Sequence, residues 1–218
     1  MIRVVIADDH TIVREGLKQV LATDPELEVV GEARDGLEAM QLVRGTPFDV
    51  LLIDISMPGR SGLEVIRQIK AEKPKLRILV LSMHEEHQYA VRAIRSGASG
   101  YLTKDSASTQ LISALRKVAA GGAWISAEVA EQLALGAMPH ADQAPHIALS
   151  DREFQVLRML AAGDTVTDVA AKVNLSVKTV STHKSRLMQK LGVSTNTELL
   201  RYAIQHRLTE DPSGGGPG

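Results

Sequence analysis

Five times in the first 120 residues a short apolar run gives way to a longer amphipathic one. The runs IRVVIA (2–7), LEVVGEA (27–33), DVLLIDI (49–55), RILVLS (77–82) and GYLTK (100–104) have strand length. DVLLIDI is apolar enough for a central parallel strand covered on both faces. Between the runs, apolar residues recur at helical spacing. Ile12, Val13, Leu17, Val20 and Leu21 mark a helix over 12–22, and further helices are predicted at 36–44, 62–72, 87–96 and 106–120. Ser106 is the expected N-cap of the last, with Gly121 and Gly122 as its stop. Right-handed crossovers put such helices on both faces of a parallel sheet. The expected first domain is therefore α/β, a doubly wound five-stranded parallel sheet spanning 1–122.

The rhythm stops after residue 122. Residues 123–147 mix Gly, Pro and His without periodicity and read as a linker. Ala127 to Leu135 could form a short helix within it, and an ordered loop packed on a neighbour is the alternative. Residues 148–210 then read as a small all-α domain of four helices. Ser150 and Glu153 form a capping box ahead of the first, whose buried face is Phe154, Val156, Leu157, Leu160 and Ala161. Thr165 or Thr167 caps a short second helix and Ser176 a longer, basic third one. A short helix, a tight connection and a basic helix make the helix-turn-helix pattern. Residues 211–218 read as a flexible tail.

Composition narrows the chemistry. The chain has no cysteine, which excludes disulfides, thiolate metal sites and thiol catalysis. Its start enters a strand-like run with no signal peptide, and no apolar stretch of about eighteen residues offers a membrane span. A cytoplasmic address with no membrane partner fits these features. The net charge of −1 hides a local asymmetry: no acid lies between Asp168 and Glu198, a stretch that holds Lys172, Lys178, Lys184, Arg186 and Lys190.

In an open parallel sheet, functional groups collect beyond the C-terminal strand ends. Asp8 and Asp9 follow the first strand, Asp54 lies near the end of the third, Ser82 ends the fourth and Lys104 the fifth. Crowded carboxylates raise one another's pKa unless a cation is near. Mg²⁺ (or Mn²⁺) would suit them, with Asp9, Asp54 and the Ser56 backbone carbonyl as ligands and Asp8 close by or reached through water. A carboxylate can also be a nucleophile, and Asp54 on the central strand is the best placed to form an acyl phosphate. The metal and Lys104 would neutralise the phosphoryl charge, and Ser82 could donate a hydrogen bond to it. The plainer reading is that Asp8 and Asp9 cap a helix and Lys104 makes an ordinary ion pair.

The basic helix has an inner stripe of Val177, Val180, Leu187 and Leu191. Its other faces offer Lys178, Thr179, Ser181, Thr182, Lys184, Ser185, Arg186 and Lys190. Cations of this kind neutralise phosphates, and small hydroxyl residues can approach base edges. A solvated charged face is the alternative.

These motifs resemble a known family. IADDH, LLIDISMPGRSGLE, LVLSM and GYLTKD are similar to the flavodoxin-like receiver domain of two-component response regulators, over residues 1–121. The resemblance implies Asp54 as phosphoacceptor, a loop shaped by Pro58 and Gly62, and Ser82 and Tyr101 as a switch pair that turns on phosphorylation. His10, His84 and His87 take no family role and are expected to be surface residues. It also implies a sensor histidine kinase as donor, and no enzyme activity beyond the receiver's own Mg-dependent phosphorylation and dephosphorylation. Residues 149–208 resemble the LuxR-type helix-turn-helix of the NarL/FixJ class. Ser181, Thr182 and Ser185 would then face bases, and Lys178, Thr179, Lys184, Arg186 and Lys190 the backbone.

The expected protein is a transcription factor switched at Asp54, binding promoter DNA as a homodimer through receiver helices one and five and the last helix. RNA polymerase is a further partner that promoter binding admits. A free-standing phosphatase would need another catalytic domain, for which the predicted segments leave no room. A phospho-dependent interaction module with a non-functional DNA-binding domain is the other reading.

Overall fold

The computed structural model describes residues 1–57, 62–83, 87–135, 145–206 and 208. Pro58, His84 and the 211–218 tail lie outside the described residues, as does part of the 123–147 stretch. The chain divides into two units, Met1–Pro139 and His140–Gly218.

The first unit is a five-stranded parallel sheet in the order β2-β1-β3-β4-β5. Its strands are β1 (Ile2–Ala7), β2 (Leu27–Ala33), β3 (Val50–Asp54), β4 (Arg77–Ser82) and β5 (Gly100–Thr103). The helices between and after them are α1 (Thr11–Leu21), α2 (Gly36–Gly45), α3 (Gly62–Glu72), α4 (His87–Arg95) and α5 (Lys104–Ala119). Every residue of β3 is buried, as its unbroken apolar run requires. Alternation along the strands sends Val4, Ile6, Val50, Leu52, Leu79, Leu81 and Leu102 to one face. There they pack on Leu17 and Leu21 of α1 and on Leu111, Ala114, Leu115 and Val118 of α5. Because β1 and β3 sit in the middle, their C-terminal ends meet at one rim.

Two local expectations change. The N-cap of α5 is Thr103 and not Ser106: the Thr103 hydroxyl oxygen accepts the Ser106 N–H, and α5 starts at Lys104 itself. Strand β5 therefore passes into α5 with no loop, which holds Lys104 at the strand end. The second change is in the region read as a linker. Trp124 bridges to Gly100 beside β5, with the Tyr101 N–H donating to the Trp124 carbonyl at 2.8 Å. Helix α6 (Ala127–Leu135) follows, packs on α4, and buries Val129. Trp124 thus covers the edge of β5, where open strand hydrogen-bonding groups would otherwise be exposed.

The second unit opens with a 3₁₀ turn at Pro145–Ala148 and continues as α7 (Asp151–Ala161), α8 (Val166–Lys172), α9 (Val177–Leu191) and α10 (Asn196–Gln205). Capping boxes start α7 at Ser150, α8 at Thr165 and α10 at Thr195, and Ser176 caps α9. Gly192, left-handed at φ 69°, ends α9. Phe154, Val156 and Leu157 pack with Val169, Val180, Leu187 and Leu199 in the core. Val177, expected on the inner stripe, is 48% exposed. It stands in the first turn of α9, where the helix has not yet reached the core. No helix among the described residues is long and apolar enough to cross a membrane.

Candidate functional site

Three charged groups meet at the strand-end rim of the first unit. Asp8 follows β1, Asp54 ends β3 and Lys104 follows β5. Both carboxylates are buried, and Lys104 Nζ lies 2.6 Å from Asp8 Oδ2 and 2.6 Å from Asp54 Oδ2. The other oxygen of Asp54 accepts the Ser56 N–H at 2.7 Å, and that of Asp8 accepts the His10 N–H at 2.8 Å. One ammonium therefore bridges two buried acids.

That imbalance sets the electrostatics. Burial pushes the Asp54 carboxyl above the usual carboxylate range, outweighing the pull of Lys104 and of the Ser56 N–H, and Asp8 adds to the rise. Burial alone would lower Lys104, but Asp54 and Asp8 together outweigh it and hold its ammonium above the ordinary value. The lysine stays charged and the acids remain short of positive charge.

Asp9 completes the acidic side. It is partly exposed, yet its Oδ1 is buried and has no hydrogen-bond partner among the described residues. Asp8, Asp9, His10 and Asp54 each present a ligand atom within 4.8 Å of the others. Three carboxylates around one ammonium, with their ligand atoms this close together, fit a divalent cation. Ser56 lies in the turn directly after β3, two residues from Asp54.

His10 was expected at the surface and stands there. Its side chain is 63% exposed, but its ring Nδ1 lies 3.0 Å from Asp9 Oδ1 and 3.3 Å from Asp8 Oδ1. The available signal was adjacency to two acids at a strand end.

Ser82 and Tyr101 are buried nearby. The pairs Val80↔Tyr101 and Ser82↔Thr103 put Ser82 and Tyr101 on the same face of neighbouring strands. Gly62 has a steric reason: a Cβ there would fall 2.5 Å from Ile55 Cα. Only glycine lets α3 begin this close to the turn that carries Ser56.

In the second unit, α8 and α9 are joined through Asn174, whose positive φ of 52° makes the sharp turn, and Leu175 N–H returns to the Ala170 carbonyl at 2.9 Å. Lys178, Ser181, Thr182, Ser185 and Arg186 are exposed and share one face of α9 opposite Val180 and Leu187. Thr179 is half-buried, its hydroxyl 2.7 Å from that of the capping Ser176. Lys184 is also half-buried and lines a cleft with Leu160, Gly163, Thr165 and Asn196. Lys190 is placed differently from the rest, since its ammonium donates to Glu153 Oε2 at 2.6 Å. Burial would raise Glu153, but Lys190 and Ser150 together hold its carboxyl below the usual range. Lys190 thus ties α9 to α7.

Residues 4–116 match the response regulator receiver domain, and residues 148–203 match the bacterial regulatory proteins of the luxR family. The response regulator UvrY of Escherichia coli strain K12 is 37% identical over 209 residues, covering 95% of this chain and 96% of that protein. The response regulator GacA of Pseudomonas aeruginosa is 36% identical over 214 residues, covering 98% and 100%. Among solved structures, RcsB from Salmonella enterica serovar Typhimurium, bound to promoter P1flhDC in the presence of phosphomimetic BeF3-, superposes with a TM-score of 0.66. It is 33% identical, and the match covers 94% of this chain and 98% of that one.

Proposed function

The chain belongs to the response regulators that join a receiver domain to a LuxR-type DNA-binding domain, and from that premise we propose that Asp54 is the phosphoacceptor of a DNA-binding switch. The observation that carries this is the Lys104 ammonium held 2.6 Å from each of two buried carboxylates, Asp8 and Asp54. The receiver spans 1–122 in this reading; 123–147, whose first part through α6 packs on the receiver, leads to a DNA-binding domain at 148–210, and 211–218 is a tail.

A carboxylate oxygen of Asp54 attacks phosphorus. The O–P bond forms as the P–N bond to a phosphohistidine of a sensor kinase breaks, and the leaving imidazole takes a proton. Lys104 carries a fixed positive charge beside the transferring group, and the Ser82 hydroxyl donates to a phosphoryl oxygen. Asp8, Asp9, Asp54 and the Ser56 carbonyl would hold Mg²⁺ (or Mn²⁺), which supplies further neutralisation of the phosphoryl charge. Tyr101 follows Ser82 on the same sheet face and carries the change toward α4 and α5. Later attack of water on phosphorus resets the switch, so the chain's only chemistry is on itself.

The phosphorylated protein dimerises through α1 and α5 and through α10. Ile12 on α1, and Leu200 and Ile204 on α10, are exposed apolar residues suited to this. The α9 face of Lys178, Ser181, Thr182, Ser185 and Arg186 lies on promoter DNA, flanked by Thr179 and Lys184. Lys190 is left to its ion pair with Glu153. The intact exposed stripe on α9 speaks against a receiver with a non-functional DNA-binding domain. Promoter binding fits a cytoplasmic location and admits RNA polymerase as a further partner.

The test is intact-protein mass after incubation with acetyl phosphate and Mg²⁺. The wild type gains one phosphoryl group that hydroxylamine removes, as an acyl phosphate should, and Asp54→Asn gains none. A phosphoryl group retained on Asp54→Asn would overturn the assignment.

A further inference from the structure

Arg14, one turn into α1, is a buried cation with no part in the phosphoryl transfer described above. Helix side chains lean toward the helix N-terminus, and this one reaches back over the first turn to the end of β1. Its Nη1 donates to the Asp8 carbonyl at 2.7 Å, its Nε to Glu32 Oε2 at 3.2 Å and its Nη2 to the Thr11 hydroxyl at 3.3 Å. Glu32 comes from β2, where it pairs with Ile6 of β1. Lys18, and after it Arg14, hold the Glu32 carboxyl below the usual range against its partial burial, so the guanidinium keeps an ionised partner. The other polar groups of Asp8 are held from elsewhere. Its N–H donates to the Ala33 carbonyl at 3.1 Å, one carboxylate oxygen accepts the His10 N–H and the other meets Lys104 Nζ. The Asp8 carbonyl belongs to the planar peptide group that joins Asp8 to Asp9. A planar guanidinium held at three points is a rigid anchor, as a lysine ammonium is not. Arg14 therefore fixes the rotation of that peptide plane, and with it the direction in which Asp9 leaves the strand end.

We propose that Arg14 is a positioning residue for phosphoryl transfer to Asp54. It touches neither the phosphoryl group nor the cation. It holds the Asp8–Asp9 peptide so that both carboxylates converge with Asp54, their ligand atoms within 4.8 Å of one another. The proposal rests on the phosphoacceptor reading above and adds the residue that keeps its acidic pair in register.

The test compares the full chain as wild type, Arg14→Met and Arg14→Lys. Methionine keeps the helix preference, and Glu32 keeps Lys18 at 2.8 Å. In calorimetric titration with MgCl₂, Arg14→Met should bind Mg²⁺ about tenfold or more weakly than wild type. The Mg²⁺ concentration that half-saturates phosphorylation by acetyl phosphate should rise by the same factor, while the rate at saturating Mg²⁺ stays within about twofold of wild type. Arg14→Lys keeps the charge and one donor but not the fork, and its Mg²⁺ affinity should fall between the two. A purely structural role would lower stability in urea denaturation and leave Mg²⁺ affinity and half-saturation as in wild type, and that result would overturn the proposal. If Arg14→Met does not fold, Arg14→Lys carries the test, and wild-type Mg²⁺ affinity in it overturns the proposal equally. A rate that saturating Mg²⁺ does not restore would also overturn it, since the loss would then lie outside carboxylate placement. If wild type takes no phosphoryl group, the phosphoacceptor reading falls and this inference with it. If wild type is phosphorylated and the variants respond to Mg²⁺ as it does, this inference alone falls.

Discussion

Replacing Lys178 and Arg186 together with glutamate is expected to weaken DNA binding by about 100-fold at physiological salt. Both side chains are exposed on α9 and lie on the same face as Ser181, Thr182 and Ser185, so the change alters charge and not the core. Each lost phosphate contact removes about 0.9 from the slope of log affinity against log salt, so the slope should become shallower by about 2. Phosphate contacts carry no sequence information, and affinity for specific and random duplexes should fall by a similar factor. Fluorescence anisotropy over a salt series measures both quantities. An unchanged slope would mean that α9 does not lie on the backbone. Lys184 is a weaker choice for this test because its half-buried position mixes packing with charge.

The second large effect is at Lys104. Truncating it in Lys104→Ala leaves Asp8 and Asp54 buried without their shared countercharge. Breaking a buried pair in this way costs about 3–5 kcal/mol. The pH dependence gives the effect its signature. Burial already raises the Asp54 carboxyl in the folded chain, and loss of the ammonium raises it further. A carboxyl raised on folding contributes stability below its unfolded pKa and loses it as pH rises through the folded value. The deficit of Lys104→Ala should therefore be large at neutral pH and shrink as pH falls toward the ordinary carboxylate range. Urea denaturation at several pH values reads this directly, and a deficit independent of pH would contradict it. Phosphorylation of Asp54 by acetyl phosphate should also slow by about 10²–10³-fold, because a fixed charge beside the transferring group is lost.

Much of the first unit could be read from sequence because its strands are nearly all apolar and its helices amphipathic, with glycines at the breaks. The meeting of Asp8, Asp54 and Lys104 was legible for a topological reason: parallel strands end at one rim wherever their helices return. What escaped depended on contacts that periodicity does not encode. Thr103 and Ser106 are both good caps, and only the absence of a loop after β5 selects Thr103. Trp124 comes two residues after Gly122 in a stretch without pattern, and its place beside Gly100 is a long-range edge pairing. Lys190 reads as one more cation on a basic helix, yet Glu153, distant in sequence, claims it. Val177 has the right phase for the core but stands too early in α9 to reach it. His10 lies at the surface as expected, and its approach to Asp8 and Asp9 is a side-chain contact that periodicity does not encode.

The central claim is that chemistry at Asp54 controls binding by α9, although the two lie in separate units. The most direct measurement is the affinity of the full chain for one promoter duplex, recovered by binding selection on the phosphorylated protein, with and without acetyl phosphate and Mg²⁺. Wild type should bind about tenfold or more tightly after phosphorylation, within the 1–3 kcal/mol usual for coupled sites. Asp54→Asn should bind like the untreated wild type under both conditions. Equal affinity of treated and untreated wild type, or an unchanged response in Asp54→Asn, would contradict the switch.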